Sequence, residues 1–380
     1  MRNTNAKSSL LLLTAMFAGL VNVPSLRAAA KSWKEETVLI SRQGDQTVVR
    51  PFEGDKTLFK NADPQLAVEW GLTNARTVLV LAGKYVVSDC IDIPRDDVTL
   101  IIDRGAEVSL NPKTEHKADI GFRSPRHPGY WTLVPLIYNH GHDNVRVIHL
   151  GTLVHSVWAG KDRGKQTFPI VFDGRNAKRT CGVQGGLLLV AGSAAQMCLL
   201  LDSRGVHVPL LTLEYARLES GLDGVVGLEG CEDCKLGMIV NLAPKPGGTT
   251  GETVDLNSRN RGITIERLIG ERPNEIIDCN ESHAIVGEIV SVGKPRKLFT
   301  TSKGSGPRWT SRPRTGSVSL NVKQKTNLED AAGVAVRQDL PKLPGALPRF
   351  TVKATVEVTL KDGSKKVYTK EVEIDVRSAK

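Results

Sequence analysis

The sequence predicts an all-β protein built as a solenoid, with short strands stacked turn upon turn. Three observations carry this. Short runs rich in Val, Ile and Leu alternate with glycine turns from Thr77 to about Thr301. The chain has 36 glycines but only 5% aromatic residues, which suits many tight turns around a thin aliphatic core. One polar pattern also occurs twice, one period apart. "GETVDLNS", from Gly251, and "EIIDCNES", from Glu275, place Asp255 over Asp278 and Asn257 over Asn280, 23 residues on. Stacking explains such repeats, because a unit this short cannot bury its own apolar face.

The elements follow in order. Residues 1–30 read as a secretory signal. Arg2 and Lys7 lead, Leu10 to Val21 is apolar, and Ala28 and Ala30 have the spacing for cleavage after Ala30. Pro24 argues against a membrane anchor, and no run reaches the roughly 18 apolar residues of a spanning helix. A secreted or periplasmic protein is expected. Residues 31–61 form a polar lead-in. Asp63 before Pro64 signals a helix start, and a short helix is expected to about Trp70. In "RTVLVLAGKYVV" a strand, a Gly83 turn and a second strand follow. "VTLIIDRGAEVSL" repeats this around Gly105, and "VRVIHLGTLVH" around Gly151. Residues 62–302 are thus the stacked body. Beyond Lys303, "SKGSGPRWTSRPRTGS" reads as a basic linker. "SVSLNV" and "RFTVKATVEVTLKDGSKKVYTKEVEIDV" then alternate at period two around the Asp362-Gly363 hairpin signal. Residues 303–380 are therefore expected as a basic, antiparallel β unit.

The net charge of +10 is uneven. From Gly293 onward 19 Lys and Arg face 8 Asp and Glu, a surplus of +11. Losing Arg2, Lys7 and Arg27 with the signal leaves +7, so Lys31 to Val292 carries −4. A basic tail attracts acidic polymers or an anionic surface. No nucleic-acid motif accompanies it, so nucleic acid is not an expected partner. Among six cysteines, Cys231 and Cys234 form a C-x-x-C, a zinc or redox pattern. No second close pair completes a zinc site, and buried thiols are the simpler reading.

In "GKYVVSDCIDIPRDDVTLIIDRGAEVSLNP", behind a short helix, and in "DNVRVIHLGTL", the chain resembles the pectate lyase and polygalacturonase superfamily over roughly Ala62 to Thr301. The resemblance implies a right-handed parallel β-helix capped by the N-terminal helix. It also implies substrates lying along an outer face of the solenoid. Alternation puts Val254, Leu256, Ile277 and Cys279 inward and Asp255, Asn257, Asp278 and Asn280 outward. These four are expected as a polar stripe, with Glu229 above Asn257.

The stripe is the first candidate site. Asp255, Asp278 and Glu281 offer oxygen ligands for calcium. Asn257 and Asn280, with Tyr130 and Trp131 of the long irregular segment, are candidates for holding sugar. Stacked Asn and Asp also form plain structural ladders and turns. A lyase on a uronic-acid polymer must neutralise a carboxylate and supply a base. Relatives are known that use cationic side chains or calcium for the first task and Arg, Lys or His for the second, so His283, Arg259 and Arg261 are the catalytic candidates, with Lys245 in the neighbouring insertion. A hydrolase needs a carboxylate pair, for which Asp255 and Asp278 qualify. The G-H-G and R-I-K patterns of polygalacturonases are absent, and the adjacent Asp96-Asp97 lies far from the stripe; "HGH" at His140 has the wrong order. Six histidines lie between His116 and His155, in spacings that fit no metal motif. The expected activity is a monomeric, exported polysaccharide lyase acting on an acidic glycan. A hydrolase on the same fold and a non-catalytic polysaccharide-binding protein are the alternatives.

Overall fold

A computed structural model describes residues 35–111, 132–154, 165–175, 182–194, 198–214, 225–242, 253–257, 259–271, 276–279, 282–294, 299–300, 319–343 and 345–377. The expected signal segment, Tyr130, Trp131, Cys181, Lys245, Asn280, Glu281 and the basic linker lie outside these residues. So do three of the clustered histidines: His116, His127 and His155.

The protein is mostly strand, with one helix among the described residues. Its strands fall in rotation onto long parallel sheets. Ile91–Ile93, Thr99–Ile102 and Ala106–Leu110 each join a different sheet. Thr132–Asn139, Arg146–His149 and Thr152–Val154 then visit the same three sheets in the same order. After Ser193–Ala194 the third sheet ends; apart from Ser203–Arg204, which pairs with Val183–Gln184, the chain then alternates between the other two. The longest sheet has 12 strands, the second eight and the third four. Pairing within these rotations is parallel throughout. The antiparallel strands Glu35–Gln43, Gln46–Pro51 and Phe59–Asn61 close the start of the long sheet.

Register explains the core. In the long sheet Val78, Leu100, Val147 and Leu188 are consecutive partners, each fully buried. Aliphatic side chains thus stack like on like at the strand spacing of about 4.8 Å. The corners are as constrained as the strands. A Cβ on Gly151 would overlap the Ala106 and Asp103 carbonyls, and one on Gly192 would overlap Gly151. Glycine is required where successive passes of chain touch backbone to backbone.

The helix is Pro64–Asn74. Asp63 caps it, accepting from the Gln65 N–H at 2.9 Å, and Pro64 occupies the first turn, where no N–H is needed. It runs past Trp70, because Leu72 also buries its side chain, and Trp70 stacks on Phe59 at 5.5 Å.

The antiparallel part of the C-terminus begins at Ala331. Ser319–Leu328 instead pairs in parallel with His283–Val292 as the last strand of the long sheet. Its alternation could not reveal this, since period two is common to both kinds of sheet. Ala331–Asp339, Arg349–Leu360 and Lys365–Asp375 form a separate antiparallel sheet. One face of it is apolar: Val352, Ala354, Val356 and Val358 are fully buried. That face shares one cluster with Leu79, Ile101, Ile148 and Leu189, the outward column of the long sheet. Asp375 O accepts from Arg146 at 2.7 Å, while Tyr368 stacks under the Arg267 guanidinium at 5.3 Å. Arg146 and Arg267 lie four strands apart, about 19 Å, and seven residues of extended chain span about 23 Å. The small sheet therefore crosses the long one steeply.

Val356→Ala should cost about 2 kcal/mol in urea unfolding, whereas Thr355→Ala, on the exposed face, should stay within about 0.5 kcal/mol. Asp375 provides a pH test. The Arg377 N–H and the Arg349 guanidinium hold its carboxyl at about 2, below the ordinary 3.8. A depressed carboxyl stabilises the fold above its unfolded value and loses that contribution as pH falls. The melting temperature of the wild type should drop from pH 4 to pH 2 more than that of Asp375→Asn. The two curves should converge at still lower pH.

Candidate functional site

The polar residues converge on the eight-stranded sheet. Val254, Leu256, Ile277 and Cys279 are fully buried on its inner side. Asp255 pairs directly with Asp278 on the other face. The same row runs back through Gly227, Leu199, Val171, Tyr138 and Asp92, each in register with the next. A second row, two residues on, joins Asp173, Leu201 and Glu229. Asn257 follows, its N–H bonded to Leu228 O at 2.8 Å.

The stripe is not open surface, as outward-facing acids would lead one to expect. Asp255 is 5% exposed, Asn257 2%, Asp278 7% and Glu229 3%. The same face carries Val171, Leu199 and Leu201, all 1% exposed or less, and apolar residues on a sheet face drive its covering. Asp255 is aimed by Asn257, whose Nδ2 donates to its Oδ2 at 2.9 Å.

Two arginines enter this field. Arg175 grips Asp173 through two parallel bonds, Nε to Oδ1 at 2.8 Å and Nη2 to Oδ2 at 2.7 Å. The Tyr138 hydroxyl donates to the same carboxylate at 3.1 Å. Burial pulls the Arg175 guanidinium down, but the pairing with Asp173 and the nearby Glu229 outweigh it and hold it above its ordinary value. Burial, then the Asp173 charge, pushes the Tyr138 phenol well up, so it stays protonated as a donor. Arg259 is looser. Its Nη2 lies 3.4 Å from Asp202 and 4.0 Å from Glu229, and its side chain is 39% exposed. Its backbone takes φ +70°, a left-handed conformation that costs a non-glycine residue on the order of 1 kcal/mol. Gly230 makes room beside it, since a Cβ there would overlap the Asp202 carboxylate.

The other candidates stand apart. Arg261 is exposed at a corner, paired through its backbone with Glu232. His283 is exposed and opens His283–Val292, a strand of the long sheet rather than of the polar rows. Asn280, Glu281, Tyr130 and Trp131 lie outside the described residues. No group of three His, Cys, Asp or Glu among the described residues is placed to hold a metal ion.

A hydrogen-bonded ladder does exist, one corner away. Cys231 Sγ contacts Leu200 O at 3.2 Å, Asn260 Nδ2 donates to Leu228 O at 3.0 Å, and Ser282 Oγ donates to Leu256 O at 3.3 Å. Leu200, Leu228 and Leu256 are themselves register partners. Asn260 also donates to Ser282 Oγ and accepts from Cys231 N–H, both at 2.9 Å. Cys231 and Cys234 are buried free thiols, as are Cys90, Cys198 and Cys279. Burial, with the partner thiol, raises Cys231. The inner position of this ladder was hidden in the sequence, because Cys, Asn and Ser share no pattern. Likewise Asp173, Arg175 and Tyr138 belong to no repeat, and only strand pairing brings them onto the row.

No protein-family model, curated protein or solved structure matches the chain.

Asp173→Ala should cost about 3 kcal/mol in urea unfolding, since it removes the bidentate carboxylate from the largely buried Arg175. Asp202→Ala, which breaks a part-exposed pair, should cost no more than about 1 kcal/mol.

Proposed function

We propose that this is an exported carbohydrate-active protein whose strand rotation is a right-handed parallel β-helix, with the polysaccharide handled at the outer rows of the eight-stranded sheet. The observation that carries this reading is the Asp255–Asp278 register, set beside Glu229 and Arg259. Adjacent strands lie about 4.8 Å apart, so two in-register carboxyls on one face can stand at about 5 Å. Two carboxyls at about 5–5.5 Å are the arrangement with which a retaining glycoside hydrolase protonates a leaving group and attacks the sugar. Cleavage of a glycosidic bond by this pair is the chemistry the geometry supports best. Arg259, strained and only partly engaged, is the cation offered to a bound ligand.

Lyase action on a uronic-acid glycan is the second reading. Arg259 favours it, because elimination requires a cation at the sugar carboxylate. The rows are rich in acids, so a polyanion would need help, and calcium held by Asp255, Asp278 and Glu281 would supply it. His283 or Arg261 would then have to reach the row as base. The basic C-terminal segment would add affinity for an acidic polymer.

Incubation with polygalacturonate, alginate, xylan and laminarin tests both. Hydrolysis should raise reducing ends without absorbance near ~235 nm; elimination should raise both, because its product is unsaturated. Asp278→Ala should lower either activity by about a hundredfold or more. Loss that excess calcium restores would assign Asp278 to the metal. Binding without new reducing ends would leave a non-catalytic polysaccharide-binding protein.

A further inference from the structure

Cys231 and Cys234 sit on one bend of the chain and face the same closed corner. Asp233 between them takes φ +53°, so the chain turns back on itself there. Neighbouring passes pin the bend. Glu232 N–H donates to Ser203 O and Asp233 N–H to Arg261 O, both at 2.9 Å. Cys231 O accepts from Arg261 N–H at 2.9 Å, and Cys234 O from Thr264 N–H at 3.1 Å. Both side chains are fully buried, and the two thiols are hydrogen-bonded to each other. The ladder by itself does not account for a thiol here. Asn260 and Ser282 serve Leu228 O and Leu256 O with an amide and a hydroxyl. Cys231 gives Leu200 O only an S–H, a weak donor, and Cys234 serves Ser203 O as weakly at 3.6 Å. A serine would do that task better. What sulfur adds at two adjoining positions is the ability to form a bond.

We propose that Cys231 and Cys234 are a disulfide-forming pair that locks this corner of the body once the chain meets an oxidant. A four-residue bend brings its end Cα atoms within about 7 Å, and a disulfide spans about 4.4–6.8 Å. Two S–H bonds break and one S–S bond forms. The two electrons pass to a disulfide oxidant, protein-borne or glutathione disulfide, which is released as two thiols carrying the two protons. Oxidation takes place while the corner is open, during folding or local unfolding, and closure then shields the bond. The bond lies beside the polar rows, because Gly230 and Cys231 directly follow the strand Val226–Glu229. It therefore fixes the end of the strand that carries Glu229. The inference stands whether or not the rows handle polysaccharide.

The test uses the full chain, made once in a reducing cytosol and once exported to an oxidising periplasm. Each preparation is unfolded in urea with N-ethylmaleimide and no reductant, then digested with trypsin. The peptide from Leu218 to Lys235 contains both cysteines and no other. From the exported protein it should be unmodified and about 2 Da lighter than its dithiol form, the two hydrogens having left. From the cytosolic protein it should carry a maleimide group on each cysteine. The native oxidised protein should keep the bond in dithiothreitol and lose it only when urea opens the corner. Its melting temperature should exceed that of the reduced protein by about 2–4 °C. Cys231→Ser should match the reduced protein in either compartment, since a hydroxyl still serves Leu200 O. Maleimide on both cysteines of the exported protein would overturn the proposal. So would either cysteine linked to a different peptide, or zinc bound at about one atom per chain.

Discussion

The outward face of the long sheet is apolar, and everything else in the structure accommodates that fact. Leu79, Ile101, Ile148 and Leu189 form a column as buried as the column on the inner side. A sheet with two apolar faces needs a second cover. The C-terminal antiparallel sheet provides it, crossing steeply so that a few long strands touch many short ones. Each valine buried there is worth roughly 1.5–3 kcal/mol. The cover is clasped at its edges by polar contacts of small individual worth. Arg76 donates to Arg377 O, Lys370 pairs with Glu266, and Gln338 donates to Thr212. These fix position more than they add stability.

Parallel register does the rest. Apart from a one-residue shift where Leu187–Val190 meets His207–Glu214, each strand repeats its neighbour in register, so a residue type repeated from pass to pass becomes a column. Aliphatic columns make the core. Glycines make the corners where backbones touch. Cys231, Asn260 and Ser282 make a hydrogen-bonded ladder inside one corner, satisfying carbonyls that a turn would otherwise leave unpaired. Asp255 and Asp278 form the acidic column by the same rule. The rule is indifferent to purpose, and the candidate site differs from the ladder only in its chemistry. The ladder is satisfied in itself. The acidic row borders an arginine held in a left-handed backbone conformation and only partly engaged.

Much of the body was legible in the sequence. Thr77 onward reads as short strands because β-branched runs and glycine turns alternate. Asp63-Pro64 starts the helix it signals, and Asp362-Gly363 turns between two antiparallel strands. The register of Asp255 with Asp278 could be read from one repeated motif, since equal spacing along the chain becomes adjacency in a parallel sheet. Other features could not be read. "SVSLNV" carries the same alternation whether it joins a parallel or an antiparallel sheet, so its place on the long sheet is not legible in the sequence. Asp173 and Arg175 meet Tyr138 from passes of chain 35 or more residues apart, with no repeated motif to announce them.

The amino-acid sequence by itself determined the local states: which residues extend, where the chain turns, and which carboxylates share a column. Those follow from side-chain shape, backbone freedom and the spacing of repeated motifs, all of them local. Only the tertiary structure decided exposure. Alternation says that Asp255 points away from the core, but not what lies beyond it. Whether a face meets water depends on distant segments, as the C-terminal sheet shows when it covers the long sheet. The acidic row is buried for the same physical reason. Apolar Val171, Leu199 and Leu201 share its face, and burying them takes the carboxylates out of water as well.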